Sequence, residues 1–502
     1  MRTSAATAAG LLAVMAVLGA ACGGSSGGAE AGDSAETAAG DDTASGAQPS
    51  DPTGTGTQSD TQADTQTDTS TQASAAGNGE GGQGDAGAPA APEPTGWVVD
   101  GQSLRFVDRT EESGVAAADI GLRAHAIAAG DVDGDGWTDV FLGTFADRPS
   151  DDYAHRGADG PSPDRLLRGG PDGFTLDESF PGLLGRTSGA TMADLDGDGD
   201  LDLVVSRNVG DGEGSDAPSE VLGNDDGAFT RASVLDERRG GRAVGTLDYD
   251  GDGLEDIILV EDRWTGGSTA LFHNDGNLSF SEVTSEVGVP ASLAGLGLGI
   301  GDFDMDGHDD FFVGGDNRLF MWRDGGFVEA PSEQFQWETF GDEDDVAHVA
   351  VADVQGDGMP DLVVGQHYNS TLDFGEEVPV RLYLNEGISD GWPRFRDVTE
   401  QAGLAGLPTK APRVLVDDLN GDGWTDIVTT ASAGDGSTAA VFWGAEPEDG
   451  VPQFTSPEGL GAAQYWIDAV ILDADQDRVP DLFLVEWEPE LGSRLLAGEP
   501  AG

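Results

Sequence analysis

The stretch GDVDGDGWTD, residues 130–139, places four aspartates close together between glycines. Neighbouring carboxylates repel one another, and the chain already carries a formal net charge of −70, so the stretch is unfavourable unless a cation lies among these side chains. Oxygen ligands at loop positions 1, 3 and 5, a main-chain carbonyl at 7 and a carboxylate at 9 can surround a hard cation, while glycine at 6 allows a sharp turn. Calcium suits such a flexible oxygen cage better than magnesium does. The stretch therefore predicts a calcium loop.

Copies of this loop recur along the chain. Strict or looser forms of Asp-x-Asp-x-Asp-Gly-x-x-Asp begin at Asp131, Asp194, Asp248, Asp302, Asp353, Asp418 and Asp473. The intervals are 63, 54, 54, 51, 65 and 55 residues. Seven copies at a near-regular spacing indicate a repeat architecture, in which each unit contributes the same local structure.

The predicted ligands are the residues at positions 1, 3, 5, 7 and 9 of each loop, position 7 through its carbonyl. They are Asp131, Asp133, Asp135, Trp137 and Asp139; Asp194, Asp196, Asp198, Asp200 and Asp202; Asp248, Asp250, Asp252, Leu254 and Asp256; Asp302, Asp304, Asp306, His308 and Asp310; Asp353, Gln355, Asp357, Met359 and Asp361; Asp418, Asn420, Asp422, Trp424 and Asp426; Asp473, Asp475, Asp477, Val479 and Asp481. Gln355 and Asn420 replace a carboxylate by a neutral oxygen. Arg478 replaces the turn glycine and adds a positive charge, so of up to seven Ca²⁺ sites the seventh is the weakest candidate and the first expected to be empty.

The segments that follow the loops exclude the EF-hand, whose loop needs a bidentate glutamate at position 12. Those positions are Leu142, Val205, Leu259, Val313, Val364, Thr429 and Leu484. Each lies in a short, largely apolar run such as VFLG or IILV, which predicts a buried strand. The loop therefore connects two strands and not two helices.

Each repeat contains four predicted strands, A to D, with the aspartate loop between A and B. An all-β fold follows: a seven-bladed β-propeller of four-stranded blades. The last repeat shows strand C in SRLLAG, residues 493–498, and no strand D after it. The segment SLRFVDRT, residues 103–110, resembles strand D of other repeats, such as RFRDVT. An N-terminal strand is therefore expected to complete the last blade and close the ring.

The aspartate loops, the order of the strands and the phrases FSEVTSEVGV (280–289) and FRDVTEQAGLAG (395–406) resemble FG-GAP, or VCBS-type, repeats. Such repeats form the propellers of integrin α-subunits and occur in many secreted bacterial proteins. The resemblance covers residues 97–502 and implies a seven-bladed propeller with calcium in its A–B loops. It implies little about a ligand, because one fold hosts many functions.

The N-terminal region differs in composition from the rest of the chain. Residues 1–21, with Arg2 before an apolar stretch, read as a signal peptide, and the sequence LGAAC ending at Cys22 resembles a bacterial lipobox. The resemblance implies a lipidated Cys22 that anchors an exported protein to a membrane of the cell envelope; an ordinary signal peptide with an incidental cysteine is the alternative. Residues 22–96, rich in Gly, Ser, Thr and Asp, are predicted to be a disordered tether to the propeller of residues 97–502.

Composition and motifs also limit the classes of function that the chain can have. The 94 acidic residues against 24 basic ones disfavour nucleic acid as a partner. The six histidines show no metal-ligand spacing, and the repeats contain no His-Glu-x-x-His motif or nucleophile elbow. We therefore expect a cell-surface recognition module for protein or glycan. A propeller lyase or hydrolase acting on polysaccharide, and a purely structural envelope protein, remain alternatives.

A few basic residues suggest where a partner binds. Arg123, Arg186 and Lys410 each stand eight residues before a loop's first aspartate, where strand A begins, and Arg242 lies near the same point of the third repeat. In a meander of four strands this end lies opposite the calcium loops. These side chains could form an anion site for a carboxylate-bearing glycan or an acidic peptide. The alternative is that they pair with nearby aspartates.

Overall fold

The structure is a computed structural model, and it describes residues 97–99, 101, 103–148, 150–155, 157–209, 217–236, 240–262, 269–332, 344–369, 380–404, 413–430, 438–461, 466–486 and 492–501. The predicted signal peptide, Cys22, the tether and Lys410 lie outside the described residues. Within them the fold is all-β: seven four-stranded antiparallel sheets form the seven blades, which confirms the predicted propeller.

The N-terminal strand is β1 (Leu104–Asp108), and blades one to three follow it in chain order. Blade one contains β2 (Ala124–Gly130), β3 (Asp139–Thr144), β4 (Arg165–Arg168) and β5 (Thr175–Leu176). Blade two contains β6 (Thr187–Ala193), β7 (Asp202–Arg207), β8 (Ser219–Gly223) and β9 (Thr230–Asp236). Blade three contains β10 (Gly241–Leu247), β11 (Asp256–Glu261), β12 (Ala270–Asn274) and β13 (Phe280–Glu282).

The remaining four blades continue the same order. Blade four contains β14 (Gly295–Gly301), β15 (Asp310–Gly315), β16 (Arg318–Arg323) and β17 (Gly326–Glu329). Blade five contains β18 (Asp344–Ala352), β19 (Asp361–Asn369), β20 (Arg381–Ser389) and β21 (Trp392–Asp397). Blade six contains β22 (Val414–Asp417), β23 (Asp426–Thr429), β24 (Ala440–Phe442) and β27 (Glu458–Gly459), with the hairpin β25 (Gly444–Glu448) and β26 (Val451–Phe454) inserted. Blade seven contains β28 (Trp466–Leu472), β29 (Asp481–Glu486), β30 (Arg494–Pro500) and β1.

The first strand of each blade faces the central axis. Each of these strands contacts the first strand of both neighbouring blades, and the contact between β28 and β2 completes the circle. The core is divided in the same way into seven apolar clusters, one between each pair of adjacent blades. The near-continuous apolar runs of the second strands explain this arrangement, because both faces of each blade are covered by a neighbour.

The closure of the ring agrees with the prediction. Strand β1 pairs antiparallel with β30, from Leu104 opposite Pro500 to Asp108 opposite Leu496. The residues before β1 also contact two aspartate loops: the Val98 N–H donates to the Arg478 carbonyl (2.9 Å), and the Gly101 N–H donates to the Asn420 carbonyl (2.8 Å). The N-terminal segment thus joins the sixth and seventh repeats.

Two local features were not predicted from the sequence. The β25–β26 hairpin turns at Asp449 and Gly450, whose φ angles of 53° and 79° match the left-handed conformation that an Asp-Gly turn favours. The two helices among the described residues, α1 (Val115–Ala118) and α2 (Ser150–His155), are short and lie in connections. No helix in this part of the chain has the length and apolar character needed to cross a bilayer.

Candidate metal centres

The aspartate loops share one backbone conformation. In the first loop, Asp131 accepts hydrogen bonds from the N–H groups of Asp135 (3.2 Å) and Gly136 (2.8 Å), and Asp135 accepts one from Trp137 (2.9 Å). Gly134 and Gly136 adopt φ angles of 69° and 87°, which turn the chain tightly around the side chain at position 1. The position-1 carboxylate is therefore held at the centre of the loop.

The aspartate at position 9 links its loop to strand C of the same blade. In blade one, Oδ2 of Asp139 accepts the Val132 N–H (3.1 Å), and Oδ1 accepts the Gly169 N–H (2.8 Å). The Oδ1 bond recurs in the other six blades, from Asn224, Asn274, Trp322, Asn385, Gly444 and Gly498. The equivalent aspartates are all buried. The aspartate at position 9 therefore has a structural role through these hydrogen bonds, in addition to its predicted role as a metal ligand.

Burial raises the pKa of these position-9 carboxyls. The pKa rises to about 6 for Asp139 and Asp202, to about 7 for Asp256, Asp426 and Asp481, and to about 8 for Asp310 and Asp361. The neighbouring loop aspartates raise it further, whereas the main-chain N–H donors lower it. A cation in the loop would favour the ionised form of these same groups.

The carboxylates gather closely enough for one ion to bridge them. Donor atoms lie within 4.8 Å of one another in the sets Asp131, Asp133 and Asp139; Asp194, Asp196 and Asp202; Asp248, Asp250 and Asp256; Asp302, Asp304 and Asp306. Buried oxygens that make no hydrogen bond of ordinary length and angle occur at Asp256 Oδ2, Asp304 Oδ1 and Asp473 Oδ1, although main-chain N–H groups approach these carboxyls. An unsatisfied buried oxygen is costly, so these atoms fit a site for a hard cation.

Strand C brings basic side chains to three of the loops. Nη1 of Arg168 lies 3.5 Å from Asp133 and 3.3 Å from Asp139, and Nη2 of Arg323 lies 2.7 Å from Asp304. In the third loop the corresponding neighbour is His273, whose Nδ1 lies 3.2 Å from Asp256. The sequence analysis did not identify these three residues. They are distant from the loops along the chain, and only the pairing of strands B and C brings them close.

The three atypical loops keep the common conformation. Asn420 accepts the Asp422 N–H through Oδ1 (2.9 Å), and Gln355 donates from Nε2 to the Asn385 carbonyl (3.2 Å). Arg478 adopts the left-handed conformation of the missing glycine, with φ of 63°, and its N–H still donates to Asp473 (3.0 Å). Occupancy of each site, including the doubtful seventh, stays a prediction.

Comparison with known proteins agrees with this geometry. Residues 248–313, 302–364 and 418–484 match the model of the FG-GAP-like repeat. These three segments are FG-GAP-like repeats. Each match begins at the first aspartate of one loop and ends in the strand after the next loop, so the FG-GAP-like unit spans two neighbouring blades of the propeller.

Curated relatives match a longer part of the chain. Cartilage acidic protein 1 of Homo sapiens is 27% identical over 338 residues, which is 61% of this chain and 48% of that protein. Cartilage acidic protein 1 of Mus musculus is 27% identical over 342 residues and that of Xenopus tropicalis 26% over 344 residues, each covering 61% of this chain and 49% of the relative. The chain spans about half the length of the curated relatives it matches.

At the end of the propeller opposite the aspartate loops, the structure places three of the four predicted anion-binding residues. Arg123 pairs with Asp152, and Arg186 pairs with Asp147 at 2.6 Å. Nη1 of Arg242 lies 3.2 Å from Nε2 of His125. Arg123 and Arg186 thus pair with nearby aspartates, whereas Arg242 contacts the imidazole of His125.

A cavity of about 60 Å³ lies on the central axis near Arg242. The first strands of all seven blades, or the residue before them, line this cavity, and its polar side chains are His125, Ser188, Arg242, His348, Arg413 and Asp468. Arg413 pairs with Asp468 at 3.1 Å. These residues stand at the starts of the innermost strands, so the cavity opens away from the aspartate loops.

The connection between β3 and β4 caps this end of blade one. Tyr153, in α2, is fully buried; its hydroxyl donates to the Phe145 carbonyl (2.7 Å) and accepts the Arg148 N–H (3.0 Å). The Phe145 ring stacks on His125, with centroids 4.2 Å apart, and lies 4.5 Å from the Arg186 guanidinium carbon. The cap therefore holds His125 and Arg186 in fixed positions beside the axial cavity.

Proposed function

We propose that this protein is an exported, calcium-stabilised propeller that acts as a recognition module for a carboxylate-bearing partner, an acidic glycan or an acidic peptide, and not as an enzyme. The observation that carries the proposal is the axial cavity, where Arg242, Arg413, His125 and His348 meet in a strongly acidic protein. Small sets of convergent polar groups in a concave site are typical of ligand recognition.

Calcium would serve the fold in this proposal. The carboxylates at positions 1, 3, 5 and 9 would hold the ion, and bound calcium would supply positive charge that offsets their mutual repulsion. The fit is supported by the donor clusters of the all-oxygen loops, within 4.8 Å, and by the buried oxygens of Asp304 and Asp473 that make no short hydrogen bond. The loops lie at the end of the blades away from the axial cavity, so the ions would stabilise the binding face without touching its ligand.

The N-terminal sequence supports a proposed location in the cell envelope. Export by the signal peptide, lipidation at Cys22 and a long acidic tether would hold the propeller outside the cytoplasm, attached to a membrane of the cell envelope. The relatives are named for cartilage, and this name agrees with a proposed location outside the cell. A protein ligand and a glycan ligand remain two outcomes of the test.

The test compares binding of acidic and neutral ligands to the full chain in calcium. Immobilised uronic-acid oligosaccharides, their neutral counterparts and a polyglutamate peptide serve as probes. Arg242→Gln is expected to lower affinity for the acidic probe at least about tenfold, since charge-assisted hydrogen bonds are strong. Arg105→Gln is the matched control, because Arg105 is exposed on the outer strand β1. Equal binding of acidic and neutral probes, or an equal loss in both variants, would reject the proposed ligand face.

A further inference from the structure

The third aspartate loop differs from the others because an imidazole enters it. His273, on β12, places Nδ1 at 3.2 Å from Oδ1 of Asp256 and 3.8 Å from Oδ2 of Asp250. Donor atoms of Asp250, Asp252 and His273 all lie within 4.8 Å of one another. The side chains of Asp250 and Asp252 are solvent-facing, and that of His273 is about one quarter exposed, so an ion can reach this set from solution.

A second observation points into the same space. Oδ2 of the completely buried Asp256 makes no hydrogen bond of ordinary length and angle, and the Tyr249 N–H at position 2 only approaches this carboxyl. In the other six loops the corresponding Oδ2 accepts the N–H of position 2, from Val132, Leu195, Phe303, Val354, Leu419 and Ala474. Asp256 also forms a donor set with Asp248 and Asp250, within 4.8 Å. Asp250 therefore belongs to both sets, and a buried carboxylate oxygen that makes no short hydrogen bond lies next to them.

The His273 ring is held in place. Tyr249, at position 2 of the loop and almost fully buried, packs edge-on against it with ring centroids 6.2 Å apart. The next residue, Asn274, is fixed by its N–H donation to Asp256 (2.7 Å) and by its side-chain donation to the Leu195 carbonyl (2.7 Å). In blade one the residue at the same register is Arg168, which cannot bind a metal ion because guanidinium offers no lone pair.

We propose that the third loop binds a divalent transition-metal ion, represented by Zn²⁺, through His273, Asp250 and Asp252, with Asp256 beside them. Calcium takes oxygen ligands, whereas imidazole nitrogen suits zinc and its neighbours in the transition series. Neutral His273 would offer the Nδ1 lone pair to the ion and keep its proton on Nε2. This site would make the third loop selective for a different ion from the all-oxygen loops.

The competing explanation is that His273 only hydrogen-bonds to Asp256, as Arg168 does to Asp139 in blade one. The two explanations differ in one property. A hydrogen-bonding histidine predicts no high-affinity zinc site in the presence of calcium. A histidine that binds the metal predicts one zinc site. Zinc should still bind to this site in excess calcium, and its binding should be weaker when the imidazole is removed.

The experiment is a calorimetric titration of the full chain with ZnCl₂ in buffer that contains excess calcium. Wild type is expected to show one zinc site, and His273→Gln to bind zinc at least about tenfold more weakly, because even indirect partners of a metal site contribute tenfold or more. His155→Gln is the matched control: His155 is exposed on α2, in the connection opposite the aspartate loops, and its loss is expected to leave zinc binding unchanged.

Two further measurements keep the proposal open to rejection. Co²⁺ in place of zinc should give visible absorption bands of nitrogen–oxygen coordination in wild type that are lost in His273→Gln. If His273→Gln does not fold, as judged by its melting in calcium, Asp252→Asn replaces it, since Asp252 is exposed. The proposal is overturned if wild type shows no zinc site in calcium, or if the tested variant binds zinc as tightly as wild type does.

Discussion

Asn224 of blade two donates a hydrogen bond from Nδ2 to the main-chain carbonyl of Val132, 2.7 Å away in the first aspartate loop of blade one. Two other asparagines at the same register make the same contact: Asn274 reaches the Leu195 carbonyl (2.7 Å), and Asn385 reaches the Phe303 carbonyl (3.0 Å). All three side chains are buried. Strand C of one blade thereby fixes position 2 of the loop in the blade before it, so the loops are coupled to the packing of the ring.

Replacing Asn224 by alanine should lower the free energy of unfolding by about 1–3 kcal/mol, because the buried Val132 carbonyl loses its partner. Urea unfolding in calcium measures the change. Ser281→Ala, at an exposed hydroxyl on β13, is the control and should change stability by less than about 0.5 kcal/mol. A loss no larger than that of the control would show that the asparagine contact does not hold the blades together.

Removing metal should lower the melting temperature substantially, because the clustered carboxylates then repel one another without compensation. Differential scanning calorimetry after chelation by EDTA, followed by calcium addition, checks both directions. Magnesium at the same concentration should restore less stability, since it demands a stricter octahedral geometry than these loops offer. Melting within a degree or two in EDTA and in calcium would contradict a role for calcium in the fold.

Metal-free protein should lose stability as the pH rises from about 5 to 8. Burial raises the pKa of the position-9 carboxyls, from about 6 in Asp139 to about 8 in Asp361, above the ordinary value near 4 of the unfolded chain. A raised pKa in the folded state means that this contribution is present at low pH and is lost as the groups ionise. Melting curves at several pH values in EDTA measure it, and calcium should remove most of the dependence. A melting temperature in EDTA that rises between pH 6 and 8 would contradict this explanation.

Deleting residues 97–110 should destabilise the propeller far more than deleting residues 23–95. The first deletion removes β1, which pairs with β30 along its whole length, together with Val99, which is fully buried among residues of blades six and seven. The second removes only the predicted tether. Thermal melts of the two truncated proteins make the comparison, and equal stabilities would reject the ring-closing role of β1.

Arg478→Gly should improve calcium binding at the seventh loop. The change removes a positive charge and places glycine at a left-handed position, φ 63°, that costs a branched or long side chain free energy. Equilibrium dialysis should then find about one more calcium ion per chain, and the melting temperature in calcium should rise. Gly423→Arg, at the same position of the sixth loop, is the reciprocal variant and should lose one ion. Unchanged stoichiometry in both variants would show that this position does not control occupancy.

Local sequence patterns predict the repeat, the β-propeller, the seven loops and the closure of the ring. These features depend on local patterns: aspartates and glycines within nine residues form one loop, and the short apolar run after each loop predicts a strand. The absence of a glutamate at position 12 excludes the EF-hand. Even the contribution of β1 to blade seven could be predicted, since a strand missing from one repeat was present before the first.

The side chains that meet at the loops could not be predicted in this way, because they come from distant parts of the chain. His273 lies 17 residues after Asp256 and Asn224 lies 92 residues after Val132, so no spacing along the chain reveals either contact. Strand register and the packing of one blade on the next place these groups, and both depend on connection lengths that vary between repeats. The bonding of the position-9 aspartates was hidden for the same reason: the sequence identified Asp139 as a ligand, but its pairing with Gly169 across the blade arises only when strands B and C align.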